Sequence, residues 1–70
     1  MSEIVECHAG AMYAEYPTAF IFEGQRLEVK NILRRWRDPG GKGFRVLTSD
    51  HRVFELFYNE AEDNWRVARL

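Results

Sequence analysis

Glu28-Val29-Lys30-Asn31-Ile32-Leu33-Arg34-Arg35-Trp36-Arg37-Asp38-Pro39-Gly40-Gly41-Lys42-Gly43-Phe44-Arg45-Val46-Leu47-Thr48 is the stretch on which the fold turns. Its first nine residues fit two geometries. Val29, Ile32, Leu33 and Trp36 recur at helical spacing, as one face of a helix does. The same residues also read as a strand in which a bulge or bend shifts the inward face. The surroundings favour the strand, because Gly24 and Pro39 bracket the segment and no N-capping residue stands at its start.

Working outward, turn signals arrive at short spacing with β-rich runs between them. Residues 18–22 alternate, with Phe20 and Phe22 on one face. Glu23-Gly24 then offers a tight hairpin connection, glycine supplying the positive φ such turns need. Residues 25–30 return with Leu27 and Val29 opposite Arg26 and Glu28, and residues 31–37 continue that strand. Asp38-Pro39-Gly40-Gly41-Lys42-Gly43 is the strongest breaker in the chain and is expected to be a loop. Residues 44–48 alternate, Ser49-Asp50-His51-Arg52 is a four-residue turn, and residues 53–58 are aromatic and β-branched. A polar turn over residues 59–64 leads to a closing strand over 65–70, with Trp65 and Val67 on one face. Residues 4–8 read as a first strand, and residues 9–15, with three alanines and a Met, as one helical turn ended before Pro17. The expected fold is all-β: one domain over residues 1–70, a small five-stranded antiparallel meander curling into an SH3- or OB-like partial barrel.

Composition narrows the class further. Seventy residues, 46% hydrophobic and 30% charged, suit a single small globular domain and neither a disordered chain nor a membrane protein. The longest run without a charge, Cys7 to Ala14, is too short for a bilayer span. One cysteine makes no internal disulfide, which fits a reducing, cytoplasmic setting. So small a domain has a core worth only about 3–5 kcal/mol, so most of its ten aromatics are expected inside it. Phe20, Leu27, Phe44, Val46 and Trp65 sit at alternating positions of separate strands and are expected to pack together.

Three motifs suggest chemistry and have simpler readings. Ser49-Asp50-His51 has the letters of a hydrolase triad, but consecutive turn residues rarely place a base against a nucleophile. Cys7, His8 and His51 are three soft ligands where a closed zinc site wants four, and strand alternation points Cys7 and His8 to opposite faces. Gly40-Gly41-Lys42-Gly43 precedes a strand, whereas a phosphate-binding loop opens a helix. No catalytic residue, metal or cofactor is therefore expected.

Charge is distributed unevenly. Lys30, Arg34, Arg35, Arg37, Lys42 and Arg45 face only Asp38 within residues 30–45, a balance of +5, although the whole chain carries −1. Basic side chains interleaved with aromatics on a β-ribbon suit contact with a nucleic-acid backbone. Cross-strand pairing with the acidic segments on either side is the plainer account of the same charges. Alternation puts Arg35 and Arg37 on one face and Arg34 and Trp36 on the other.

The segments Val5-Glu6-Cys7-His8-Ala9-Gly10, Pro17-Thr18-Ala19-Phe20, Leu27-Glu28-Val29, Leu33-Arg34-Arg35-Trp36-Arg37, Phe44-Arg45-Val46 and Phe54-Glu55-Leu56, together with Trp65, resemble a known group. It is a small uncharacterised prokaryotic domain, found alone or appended to Y-family-polymerase-like proteins of DNA damage tolerance. The resemblance spans nearly the whole chain and implies an all-β module with no assigned activity and no functional residues to carry over. Two functions follow as expectations. One is a non-catalytic module binding single-stranded nucleic acid, possessing Arg34, Arg35, Arg37, Lys42 and Arg45 as phosphate contacts and Trp36 as a stacking surface. The other is a protein-interaction or homodimerisation module that docks a partner through an edge or an aromatic face.

Overall fold

The computed structural model describes residues 4–8 and 16–70. Among them run six strands, β1 (Val5–His8), β2 (Tyr16–Phe22), β3 (Gln25–Asp38), β4 (Gly41–Thr48), β5 (Val53–Asn59) and β6 (Asn64–Arg69). Each pairs antiparallel with the next, in the order β1-β2-β3-β4-β5-β6. The all-β meander is as expected, with six strands in place of five. Val5–His8 forms a ladder with β2 and so counts as a strand in its own right. Residues 9–15, expected to hold a helical turn, lie outside the described residues.

Local chemistry explains the corners. Glu23 and Gly24 both take positive φ, 50° and 78°, the backbone of a two-residue hairpin turn whose twist matches its strands. Asn59 Oδ1 accepts from the Glu62 N–H at 3.0 Å and braces the β5–β6 turn. The expected loop at 38–43 is much shorter than its composition suggests. Only Pro39-Gly40 turns, with the Gly40 N–H donating to Asp38 Oδ1 at 3.2 Å, and Asp38 already pairs with Gly41. Gly41 belongs to β4, paired with Asp38 and Asn59, and a Cβ there would stand 1.8 Å from the Tyr58 carbonyl oxygen. Close backbone approach, rather than flexibility, accounts for that glycine.

β3 is the pivot. Its residues 25–28 pair with β2 and its residues 29–38 with β4, with register shifts at Val29/Asn31 and Ile32/Arg34. Such bulges sharpen strand twist, and here the sheet curls into a half-barrel. Phe20 on β2 and Phe54 on β5 measure the curl. Three strand spacings would separate them by about 14 Å in a flat sheet, yet their ring centroids are 5.0 Å apart, edge to face.

The buried cluster is Phe20, Leu27, Phe44, Val46, Phe54 and Leu56. Four of the five residues expected there are buried; Trp65 is half-buried and packs against the cluster, 6.1 Å from Phe44 between ring centroids. Its strand, β6, lies at the edge of the sheet, so only one neighbouring strand covers it. Phe54 points inward and Phe57, three residues on, lies on the opposite face and is half-buried.

Candidate nucleic-acid interface

Registry places the basic side chains. Arg37 is opposite Lys42 and Arg35 opposite Phe44, and alternation sets these four on the core face of the sheet. They stand beyond the buried cluster, where the hairpin projects. A cavity of about 250 Å³ opens there, lined by Arg35, Trp36, Arg37, Lys42 and Phe44. Four of the six residues expected at a nucleic-acid site thus meet around one hollow. Lys42 Nζ also lies 5.7 Å from the centroid of the Tyr58 ring, and Tyr58 is 5.2 Å from Trp65 between ring centroids.

Arg34 and Arg45 are not part of this group. They are cross-strand partners on the other face, a like-charge pair. Arg45 is neutralised by Glu55, its partner on β5, at 2.8 Å, and the Arg34 guanidinium stands 5.8 Å from the centroid of the Trp36 ring. Trp36 itself is half-buried, its indole occupying the space above Gly43.

The plainer reading of the charges accounts for part of the pattern. Arg45 pairs with Glu55, Arg37 with Glu60 at 3.0 Å, and Arg26 with Glu6 at 2.8 Å. Among the described residues, Arg34, Arg35 and Lys42 have no carboxylate within ion-pair distance. The cavity therefore keeps two unneutralised cations beside one held by a carboxylate.

The other motifs are occupied in building turns. The Thr48 hydroxyl donates to Asp50 Oδ1 and accepts from the Arg52 N–H at 3.0 Å, and Arg52 Nε donates to Asp50 Oδ2 at 2.8 Å. Asp50 is held below the ordinary carboxylate range by the Thr48 hydroxyl first and by Arg52 second. The Ser49 N–H donates to the Glu28 carbonyl at 2.9 Å, and His51 takes a φ of 67° in the turn. Among the described residues, no group of three or more His, Cys, Asp or Glu stands close enough to hold a metal. No helix among them is long and apolar enough to cross a membrane.

Tyr58 and Trp65 share the core face with Lys42, and sequence reading did not connect them to the hairpin. The connecting signal is register, since Lys42 pairs with Tyr58 and Tyr58 with Trp65. Placing it requires knowing that Gly41 already belongs to the strand.

The fold and this hairpin define a small antiparallel half-barrel with a cationic, aromatic-walled hollow on its longest hairpin. In comparison with known proteins, no family model, curated protein or solved structure matches this chain.

Proposed function

We propose that this chain is a non-catalytic accessory module that binds single-stranded nucleic acid weakly through the β3–β4 hairpin. The observation that carries the reading is the 250 Å³ cavity, whose lining combines Arg35, Arg37 and Lys42 with Trp36 and Phe44. Cations track a phosphate backbone, and aromatic walls accept bases with little regard to their identity. The resemblance to a domain appended to Y-family-polymerase-like proteins points the same way, towards DNA damage tolerance. A lone cysteine suits the reducing cytoplasm, where such a module would work.

Three cations on one face set the strength. For single strands, log K falls with log salt by about 0.7 per phosphate contact, so three contacts imply a slope of about −2. A fourfold rise in salt then weakens binding about twentyfold, while base sequence matters little. Fluorescence anisotropy of a labelled oligothymidylate, titrated from about 20 mM salt upward, tests this. Absence of saturable binding, or an affinity indifferent to salt, refutes it.

A further inference from the structure

β3 changes partner partway along its length. Its ladder with β2 ends at the pair Ala19 and Glu28, and from Val29 onward it pairs with β4 on its other edge. Continuing the β2 register would set Pro17 against Lys30, and proline has no N–H to offer a ladder. The two bulges then turn β3 aside. Among the described residues, no strand pairs with the edge of residues 30–38 that faces away from β4.

A groove of about 570 Å³ opens in the gap, its lining including Tyr16, Pro17, Val29, Ile32, Leu33 and Arg35. Leu33, at the rim of this groove, is 51% exposed. Lys30, Arg34, Arg35 and Arg37 stand along the same edge, with no acidic residue between Glu28 and Asp38.

Charged side chains and bulges are the devices by which sheet edges repel further strands. Here they act selectively. A second copy laid antiparallel on this edge would bring guanidinium groups together, which is destabilising. A strand of opposite charge meets the reverse. The groove beside Leu33 is mixed in character, Pro17, Val29, Ile32 and Leu33 standing among Thr18, Lys30 and Asn31, and it offers alternate side chains a surface to pack against, which an edge built purely for repulsion does not need.

We infer that the edge of β3 over residues 30–38 is a strand-addition site for an extended acidic peptide, one that alternates carboxylate with aliphatic side chains. The peptide main chain hydrogen-bonds the edge and its aliphatic side chains enter the groove against Ile32 and Leu33. Its carboxylates, which alternation sets on the opposite face, meet Arg34, while Lys30 and Arg35 add attraction from the groove lining. The groove shares only Arg35 with the lining of the hairpin cavity.

The test is an NMR titration of the isotope-labelled full chain with a peptide of about eight residues alternating glutamate and valine, enough to span the edge. The expected result is saturable shift changes over residues 30–35, Leu33 included, with new protection of edge amides from exchange. A chain carrying both Lys30→Glu and Leu33→Glu should bind the peptide at least about tenfold more weakly. The shift map of the unaltered chain stands whether or not that variant folds. Four outcomes overturn the inference: no shift changes, changes confined to Arg37, Lys42 and Phe44, equal binding of a lysine–valine peptide, or self-association through this edge without peptide.

Discussion

The indole of Trp36 fills the space that a side chain on Gly43, its partner across the β3–β4 ladder, would need: a Cβ built on Gly43 falls 2.3 Å from Cε2 and Cζ2 and 2.7 Å from Nε1. The ring is thereby seated against the neighbouring strand, on the face away from the core cluster.

Gly43→Ala should unseat the indole. Overpacking of this kind costs about 1–3 kcal/mol, and the Trp36 ring must turn outward. Urea denaturation should show the loss, and the Trp36 indole N–H resonance should move while that of Trp65 stays in place. An unchanged Trp36 resonance would show that the ring has another way to lie.

Closure of the half-barrel rests on Phe54 more than on Trp65. Phe54 is buried and touches Phe20 and Phe22 at centroid distances of 5.0 and 4.9 Å. Phe54→Ala should cost about 3–5 kcal/mol, comparable with the whole stability of a domain this small. Trp65→Ala, at a half-buried edge position, should cost clearly less and keep a cooperative melt. Thermal unfolding followed by circular dichroism ranks the two, and the reverse order would contradict the packing.

If nucleic acid binds in the hairpin cavity, the two faces of the hairpin should behave differently. Arg35→Glu should abolish anisotropy with oligothymidylate, whereas Arg45→Gln, on the far face and paired with Glu55, should change the salt slope little. Glu60→Gln should act in the opposite sense. It frees Arg37 from its carboxylate, so affinity should rise about two- to fivefold, the worth of an exposed ion pair. The slope, which already counts Arg37, should stay near about −2.

Acid should weaken the fold through two carboxyls. The Arg26 guanidinium, donating to Glu6, holds that carboxyl below its usual range, as Thr48 and then Arg52 do for Asp50. The folded state therefore holds these protons less tightly than the unfolded chain does. The stability concerned is present above the ordinary carboxylate pKa of about 4 and is lost as pH falls through the lowered folded values. The melting temperature should drop between about pH 6 and about pH 2.5, and a Glu6→Gln, Asp50→Asn chain should show a shallower drop. Both pairs are solvent-exposed, so added salt should narrow the difference between the two chains.

Much of this protein is legible in its residues one segment at a time. Glu23-Gly24 announces its hairpin because a two-residue turn needs positive φ. Phe20, Leu27, Phe44 and Val46 announce the core because alternation is a local property of strands. The concentration of basic residues over 30–45 is likewise visible at once, as is the split of Arg35 and Arg37 from Arg34 and Trp36.

What the tertiary structure decided is everything that depends on a neighbour's position. Gly41 and Gly43 look like a loop because glycine's usual role is conformational freedom. Their actual reasons, the Tyr58 carbonyl and the Trp36 ring, lie on other strands. That error of three residues hid the register that brings Lys42 to Arg37 and Tyr58, since strand faces follow only from where pairing begins. The exchange of partners along β3 is equally non-local: Pro17 can end a ladder only once β2 has been laid beside β3. Charge could be counted along the chain, but which cations share one cavity was settled by two bulges and the curl that carries Phe20 to Phe54.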